Sequence, residues 1–410
     1  MKPKRYKYSV LMRTLFHFPG FTFSGIEQKG QTIHVELKRI RKTATCPKCG
    51  RRTHLTDEYY PRDLRDMNVG PMKCHVSFVE NKIHCKCGFR GHEHLEFVRQ
   101  YSRCTVRFEQ YAFELCQRMS LSDVCRILDI DWKTAKDIDI HYTKQRLESL
   151  KNLSPTSIGI DEIAYEKGHK YLTVVRDADI NKVIWMGVDR KEETLSQFFE
   201  ELGTSKCSLI TAAVVDMWDP YIASIRKHCP SAEIVFDKFH VVKIINDALD
   251  DIRRKEFSKA DENQRLQMKR KRFLILKRND NLSEKQQESL RELMNQNETL
   301  YKAYLLKEQI SDIMDEKDQN TAIDRLDEWM KNVEDSGLER LRRCIQTIKR
   351  YLYGVVNYFK HQLTNAGSEG LNNKINVIKR RAYGYSDLNY FMLKIFQACG
   401  VMKIRGGIEL

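Results

Sequence analysis

The sequence predicts a multidomain α/β protein whose mixed sheet is interrupted by a long helical segment. The first observation is the length of 410 residues, which exceeds what one hydrophobic core usually serves, so two to four domains are expected. The second is a series of short apolar runs between residues 157 and 240, separated by turns and helical segments. The third is the stretch 244–355, which is rich in Lys, Arg, Glu, Gln and Leu and lacks a strand pattern.

The chain is strongly basic. Its 71 Lys and Arg residues against 56 Asp and Glu give a formal charge of +15 and a pI near 9.2. Such a charge favours a polyanionic partner, most often nucleic acid, although many basic chains are simply soluble. The 12 cysteines are too sparse for a secreted disulfide scaffold, and most lie in the first 125 positions. This clustering favours metal binding in a reducing compartment.

The sequence shows no sign of a membrane segment. No apolar stretch approaches the roughly 20 residues that cross a bilayer. The basic N-terminus is similar to that of a signal peptide, but Arg13, His17 and Pro19 interrupt the apolar run that such a peptide needs. We therefore expect a cytoplasmic protein with no membrane partner.

Residues 1–100 are predicted to form a zinc-ribbon domain with a structural Zn²⁺ ion. Residues 46–50, Cys-Pro-Lys-Cys-Gly, have the spacing at which two thiolates reach one tetrahedral ion. Residues 85–88, Cys-Lys-Cys-Gly, supply a second pair that is one residue shorter than usual. The predicted ligands are Cys46, Cys49, Cys85 and Cys87, with His84, His92 and His94 as alternatives. Buried cysteines without a metal are the other interpretation.

Residues 101–152 are predicted to form a helix-turn-helix domain. Apolar residues recur at helical steps over 106–119, a short helix capped by Ser120 or Ser122 follows, and a further helix begins at Trp132. The second helix of such a motif enters the major groove of DNA. The predicted DNA contacts near its start are Lys133, Thr134 and Lys136. Any three-helix packing gives a similar periodicity, so a purely structural role is the alternative.

Residues 153–243 are predicted to form the first part of a third domain, which is built on a sheet. The strands between 157 and 188 are joined by two tight turns, which indicates antiparallel hairpins. Helical crossovers then lead into strands at 209–215 and 233–237, and crossovers of this length require parallel neighbours. Three antiparallel strands followed by two parallel ones are typical of a ribonuclease H-like mixed sheet. In that arrangement the ends of the first and fourth strands are adjacent.

Residues 244–360 are predicted to be a helical insertion into this domain, which resumes at 361–410. A helix with Ser368 as a candidate N-cap carries Glu369 in its first turn. Polar and basic residues follow on this helix, several of them near the face of Glu369. The predicted DNA contacts on it are Asn373, Lys374, Lys379, Arg380 and Arg381.

Three acids are predicted to form one divalent-metal site for phosphodiester chemistry. Asp161 and Asp216 each follow an apolar strand, the two strands are expected to adjoin, and Glu369 starts a basic helix. Two Mg²⁺ ions about 3.5–4 Å apart activate an attacking hydroxyl and stabilise the leaving oxygen, and carboxylates hold such ions. Mn²⁺ is the alternative ion. For each acid taken alone, a solvent-exposed residue at a strand end is the alternative interpretation.

Neighbouring residues compete for these roles. Glu162 is adjacent to Asp161 but is expected to point to the opposite side of the strand. Asp237 and His240 follow the fifth strand and are accessory candidates, as a metal ligand, a DNA contact or a buried structural pair. We prefer Asp216 to Asp237 because the fourth strand lies beside the first.

Several of these motifs occur together in a fixed order along the chain. They are Asp161-Glu162, Lys167-Gly168-His169-Lys170-Tyr171, Val215-Asp216-Met217 with Pro220-Tyr221, Asp237-Lys238-Phe239-His240, Ser368-Glu369-Gly370 with Asn372-Asn373-Lys374-Ile375, and Arg380-Arg381-Ala382-Tyr383-Gly384-Tyr385. The series closely resembles insertion-sequence transposases of the ISL-three group, and the Cys46/Cys49 and 120–138 elements resemble their zinc ribbon and helix-turn-helix. The resemblance covers nearly the whole chain and departs from the group at the Cys85/Cys87 spacing.

The resemblance implies a DDE triad at Asp161, Asp216 and Glu369, dependence on Mg²⁺, and action on the inverted-repeat ends of a mobile element. The predicted function is a DNA transposase that cleaves double-stranded DNA at these ends and uses the freed 3′-OH to attack target DNA. A non-catalytic DNA-binding regulator derived from such an enzyme and a metal-dependent nuclease are the alternatives. Because two element ends must be held in one complex, we expect a homodimer on DNA.

Overall fold

The computed structural model describes residues 8–54, 56–147, 153–166 and 168–400. The chain forms two compact units, one up to Gln145 and one from Arg146 on. The finer predicted boundaries, at residues 100, 152, 243 and 360, stay predictions. None of the described helices is long and apolar enough to cross a membrane.

The first unit begins with a sheet. Its elements are α1 (Tyr8–Leu15), β1 (Phe21–Lys29), β2 (Thr32–Arg39), β3 (Ala44–Thr45), β4 (Arg52–Thr53), β5 (Thr56–Val69), β6 (Met72–His84) and β7 (Arg90–His92). The strand order is β1-β2-β6-β5, with β7 also on β6, and β2 runs parallel to β6. Strand β2 buries Ile33, Val35 and Leu37, which alternate with more exposed residues along it. The short hairpin β3-β4 forms a separate two-stranded sheet.

Three helices complete the first unit: α2 (Val106–Arg118), α3 (Leu121–Leu128) and α4 (Trp132–Leu147). The Ser120 hydroxyl accepts a hydrogen bond from the amide of Asp123 and thereby caps α3, so Ser120 rather than Ser122 is the cap. Asp129 ends α3 in a left-handed conformation, with φ of +50°. The predicted succession of three helices is confirmed.

The second unit is built on a five-stranded mixed sheet. Its first elements are β8 (Ser157–Glu166), β9 (Lys170–Asp177), β10 (Lys182–Val188), α5 (Glu192–Leu202), α6 (Thr204–Cys207), β11 (Ala212–Val215), α7 (Asp219–His228) and β12 (Glu233–Phe236). The strand order is β10-β9-β8-β11-β12. The first three strands are antiparallel, and β11 runs parallel to both β8 and β12. The predicted order of strands and crossovers is confirmed, although β11 begins three residues later than predicted.

The two faces of this sheet are covered by different helices. Ile158 and Ile160 of β8 pack into a large core with α5 and α7, and Ile163 packs on the opposite face. Residues on that opposite face contact α16 (Ala366–Arg381) and α17 (Leu388–Cys399), through Leu371 and Phe391. Since alternate residues of a strand face opposite sides, Asp161 belongs to the α16 side and Glu162 to the α7 side.

The stretch between β12 and α16 is helical, as predicted. It contains α8 (Lys238–Lys259), α9 (Glu262–Met268), α10 (Arg272–Leu276), α11 (Glu284–Asn295), α12 (Glu298–Ile313), α13 (Gln319–Asp335), α14 (Glu339–Arg350) and α15 (Leu352–His361), with a 3-10 turn at Asn279–Asn281. Its apolar residues are continuous with the core on the α5 and α7 face of the sheet. The insertion therefore extends the core of the second unit.

Candidate functional site

Asp161, Asp216 and Asp237 lie at corresponding positions on, or directly after, three neighbouring parallel strands of the mixed sheet. Residue 214 of β11 pairs with residue 159 of β8, and the same offset carries Asp216 opposite Asp161. On its other side β11 pairs with β12 up to Phe236, so Asp237 follows at the same level. Asp161 lies within β8, just beyond the last residue that pairs with β11. Strand β8 itself continues to Glu166, paired with β9. Parallel strands thus deliver the acids to one place.

Asp161 and Asp216 line the same open cleft. The other walls come from the turn after β11 and from α8, and include Trp218, His240 and Lys243. Burial and the negative charge of Asp216 raise the pKa of Asp161 to about 6, against hydrogen bonds that favour the charged form. Two carboxylates that repel each other in a partly buried cleft form a site suited to a cation.

Asp216 has the surroundings of a cation ligand. His240 Nε2 lies 2.6 Å from Asp216 Oδ1. Burial lowers the pKa of His240, but the contact with Asp216 and the charges of Asp237 and Asp161 raise it above its ordinary value. This contact is an ion pair, and Asp216 Oδ1 has no other partner among the residues that the structure describes. Hard divalent cations take carboxylate oxygens as ligands, and the donor set therefore fits Mg²⁺ or Mn²⁺.

Glu369 is exposed in the first turn of α16. One turn further along this helix, Asn372 Nδ2 donates to Asp161 Oδ2 at 2.8 Å. Residues three apart lie on the same face of a helix, so the Asn372 contact brings the Glu369 turn toward Asp161. The carboxylate oxygens of Asp161, Asp216 and Glu369 do not all lie within 4.8 Å of one another, in contrast to the sulfurs of the cysteine cluster described below.

Asp237 is completely buried and has a structural environment. Its Oδ1 accepts the amide hydrogen of Phe239 at 2.9 Å and caps α8, and its Oδ2 accepts that of Asn365. Burial raises the pKa of Asp237 despite these two bonds. Asp237 and Asn365 are 128 positions apart, at the beginning and the end of the helical insertion. Of the alternatives for Asp237, the described contacts therefore match a buried structural pair.

A buried arginine, which sequence reasoning missed, anchors the start of α16. Arg176 of β9 donates from Nε to Ser368 Oγ at 2.8 Å and from Nη2 to the Thr364 carbonyl at 2.9 Å. Burial lowers the pKa of Arg176, and the carboxylates of Asp161 and Asp237 oppose that shift. A Cβ atom at Gly159 would lie 2.5 Å from Arg176 Nε, so glycine is needed there. A charged residue within the apolar run 171–177 was the available signal.

A second unpredicted feature is the set of contacts around Arg190. Arg190 Nη1 pairs with Glu162 Oε1 at 3.1 Å, and its guanidinium lies between two aromatic rings. It is 4.5 Å from the ring centroid of Tyr171 and 4.7 Å from that of Trp218. Glu162 binds Arg190 while Asp161 binds Asn372, although both residues line the cleft.

The four predicted cysteines of the zinc site form one cluster. Their sulfurs all lie within 4.8 Å of one another, and the Cys46–Cys87 and Cys49–Cys85 sulfurs are 3.7 Å and 3.6 Å apart. Four thiolates bound tetrahedrally at about 2.3 Å from zinc would be roughly 3.8 Å apart. The cluster is therefore compatible with zinc, and the alternative histidines are not part of it.

The short Cys85/Cys87 spacing is explained by the turn that contains it. The amide of Gly88 donates to the Cys85 carbonyl at 2.9 Å, while the longer turn closes from Gly50 to Cys46 at the same distance. Both glycines have positive φ, +85° and +70°. Burial alone would raise the pKa of Cys46, but backbone hydrogen bonds from Cys49 and Lys48 lower it to about 7. Against a backbone hydrogen bond from Cys87, burial and the neighbouring thiols raise the pKa of Cys85 to about 11, so of these two thiols Cys46 is the one that favours the thiolate before a metal binds.

The predicted DNA contacts of the helix-turn-helix lie in the first turn of α4. Lys133 is exposed, and Lys136 Nζ lies 4.9 Å from the ring centroid of Trp132. The Thr134 hydroxyl donates to Asp131 Oδ2 at 2.6 Å, and the Thr134 amide donates to Asp131 Oδ1. Thr134 therefore takes part in capping α4, while Lys133 and Lys136 retain cationic groups near its start.

The predicted contacts on α16 differ in exposure. Asn373, Lys374, Arg380 and Arg381 are exposed. Lys379 is half-buried, and its Nζ donates to the carbonyl of Ala164 in β8 at 3.3 Å. The exposed members give this helix a basic surface, whereas Lys379 ties the helix to the sheet.

Comparison with known families covers both units. A family model described as a transposase, of the ISL3 type, matches residues 158–395. A model described as the helix-turn-helix domain of transposase family ISL3 matches residues 93–143.

Curated relatives match nearly the whole chain. The transposase for insertion sequence element IS1001 from Bordetella parapertussis is 33% identical over 392 residues, which cover 94% of this chain and 97% of the relative. The transposase for insertion sequence element IS1557, from two strains of Mycobacterium tuberculosis, is 26% identical over 367 residues, or 83% of this chain and 82% of the relative.

Proposed function

Because this chain belongs to the ISL3 family of insertion-sequence transposases, we propose that Asp161, Asp216 and Glu369 are the residues with which it cleaves and joins DNA. The observation that carries the proposal is the pair of carboxylates, Asp161 and Asp216, which lie at corresponding positions of neighbouring strands and line one cleft. As a DNA transposase of an insertion sequence, the chain needs one site for phosphodiester chemistry, and this cleft has the ligands for it.

The strand order supports a ribonuclease H-like core. Three antiparallel strands, β8 to β10, are extended by two parallel ones, and the order β10-β9-β8-β11-β12 places β8 in the centre. In such a sheet the first and fourth strands are neighbours, as β8 and β11 are here. The helical insertion leaves after β12 and returns at α16, which carries the third acid.

Asp161 and Asp216 would hold two Mg²⁺ ions, or Mn²⁺, and Glu369 would complete the second. When bound, the ions supply charge stabilisation for the attacking and leaving oxygens. The surrounding residues orient the carboxylates, because Asn372 and the amide of Glu162 hold Asp161 and His240 lies against Asp216. The attacking group is water in cleavage and the freed 3′-OH in strand transfer.

DNA binding is assigned to the two basic helix surfaces. Lys133 and Lys136 would contact DNA from α4 of the helix-turn-helix, and the exposed residues of α16 would contact the strand near the cleft. The bound DNA would be the inverted-repeat end first and the target later. Two ends must be held together for transfer, so we propose a homodimer, which the mass of the complex with end DNA would reveal.

The central test replaces the acids one at a time. We expect Asp161→Asn, Asp216→Asn and Glu369→Gln to reduce Mg²⁺-dependent cleavage of DNA carrying the matching inverted repeat by at least about 1,000-fold. Binding of the uncleaved end should remain within a few-fold of the unchanged protein. Glu166→Gln, which changes an exposed acid of the same strand outside the cleft, is a matched control. Normal cleavage by any one triad variant would remove that residue from the proposed site.

A further inference from the structure

The turn after Asp216 carries an exposed tryptophan without an assigned role. Trp218 is two residues beyond Asp216, at the start of α7, and lines the cleft together with Asp161 and Asp216. It is 37% exposed. Single exposed aromatic residues are common on protein surfaces, so exposure alone does not indicate a function. The position of Trp218 in the cleft and the contacts that hold it are the informative features.

The indole of Trp218 is fixed in place by its neighbours. Its Nε1 donates to the carbonyl of Arg190 at 3.1 Å, and the Arg190 guanidinium lies 4.7 Å from the ring centroid. Arg190 is itself held by Glu162 and by the ring of Tyr171. The backbone is equally restricted, because the amide of Trp218 donates to the Asp216 carbonyl at 2.6 Å.

A fixed, partly exposed aromatic surface is suited to a flat partner. Little side-chain freedom remains to be lost on binding, and an indole offers a large area for stacking. In a cleft that receives a DNA strand, the flat partner is a nucleobase, whose faces are hidden in an intact duplex. A base must leave the duplex stack before it reaches Trp218.

We propose that Trp218 is a stacking site for an unpaired nucleobase next to the phosphodiester that is cleaved at Asp161 and Asp216. This inference rests on the proposed active site and extends it. Stacking on Trp218 would offset part of the cost of unpairing that base, and would hold the scissile strand in the cleft.

The competing explanation is that Trp218 only supports the local fold as a structural brace. The chain contains a matched control for this explanation. Tyr353 is also 37% exposed and also has an arginine, Arg226, near its ring, at 5.0 Å. Tyr353 is not among the residues that line the cleft. An exposed aromatic held by arginine is therefore not specific to the cleft, and Tyr353→Ala removes a comparable contact away from it.

The first experiment compares cleavage of fully paired end DNA with that of DNA mismatched at the base pair next to the cleavage position. We expect Trp218→Ala to slow cleavage of paired DNA by roughly 10- to 100-fold. The loss should shrink to a few-fold on mismatched DNA, since that base is already unpaired. Trp218→Phe, which keeps a ring, and Tyr353→Ala should stay within a few-fold on both. An equal loss on paired and mismatched DNA would overturn the proposal in favour of a brace.

The second experiment does not need catalysis. End DNA with 5-iodouracil next to the cleavage position is irradiated in complex with the Asp161→Asn variant, and the crosslinked residue is mapped by mass spectrometry. We expect a crosslink to Trp218. If Asp161→Asn still cleaves DNA but the crosslink forms, the proposed triad fails and the stacking site stands. If that variant is inactive and Trp218 is not crosslinked, the stacking site fails by itself.

Discussion

Asp216 and Asp237 follow adjacent parallel strands at the same level, yet their surroundings differ. Both oxygens of Asp237 accept backbone amide hydrogens, and the side chain is completely buried. Asp216 lines the cleft, and its side chain is paired with His240 rather than with backbone amides. One acid thus completes the fold, and the other is available to a ligand.

This difference predicts unequal effects of the same substitution on stability. Asp237→Asn should lower the free energy of unfolding by about 1–3 kcal/mol, because an amide nitrogen would face a backbone N–H that needs an acceptor. Asp216→Asn should lower it by less, since the lost ion pair with His240 is offset by the removal of the repulsion between Asp216 and Asp161. Thermal unfolding in magnesium-free buffer measures both, and equal destabilisation would contradict the two assignments.

At the scale of elements, the two ends of the helical insertion are in contact with each other. It leaves the sheet at Asp237 and returns at Asn365, and a hydrogen bond joins these two residues. Arg176 then holds the first residues of α16 through Ser368 and the Thr364 carbonyl. The position of Glu369 therefore depends on contacts made by three separate parts of the chain.

We predict that Arg176 acts as a positioning residue for α16. Arg176→Lys keeps the charge but loses the planar group that reaches several acceptors at once. Hydrogen exchange should increase at the amides of 366–376, and cleavage should fall more than about tenfold while end binding is retained. Lys170→Ala is the control, since Lys170 lies on the same strand in an exposed pair with Glu166 and should change neither measurement. Unchanged exchange in Arg176→Lys would exclude this role.

The cysteine cluster gives a second prediction for an element. We expect about one zinc ion per chain, measured by elemental analysis, because four thiolates complete a structural site. Cys49→Ser should lose most of the zinc and lower the unfolding temperature of the unit up to Gln145. His94→Ala, which changes an exposed residue outside the cluster, should retain both. Full zinc occupancy in Cys49→Ser would show that Cys49 is not a ligand.

For the whole molecule, strand order and helix positions followed from the sequence because they depend on local periodicity and on crossover length. The adjacency of Asp161 and Asp216 followed from them as a rule of sheet topology. The contacts of Arg176 and Asn365 did not follow, because their partners lie at least 128 positions away in sequence. The charge of Arg176 within an apolar run was a signal, but it does not identify Ser368 or Thr364 as the partner. The fit of the short Cys85/Cys87 spacing to a metal site likewise depends on the three-dimensional arrangement, in which this pair meets Cys46 and Cys49.

The basic charge of the whole chain predicts that DNA binding is strongly dependent on salt. Each phosphate contact that is formed releases counterions and contributes about −0.9 to the slope of log K against log salt concentration. Lys133→Ala and Lys374→Ala, which change exposed residues of α4 and α16, should each make the slope shallower by roughly one unit if they contact phosphate. Lys302→Ala removes the same charge from an exposed pair with Glu298 in the insertion and should leave the slope unchanged. Titration of labelled end DNA at several salt concentrations measures the slope. An equal change in all three variants would mean that net charge, rather than these two helix surfaces, determines binding.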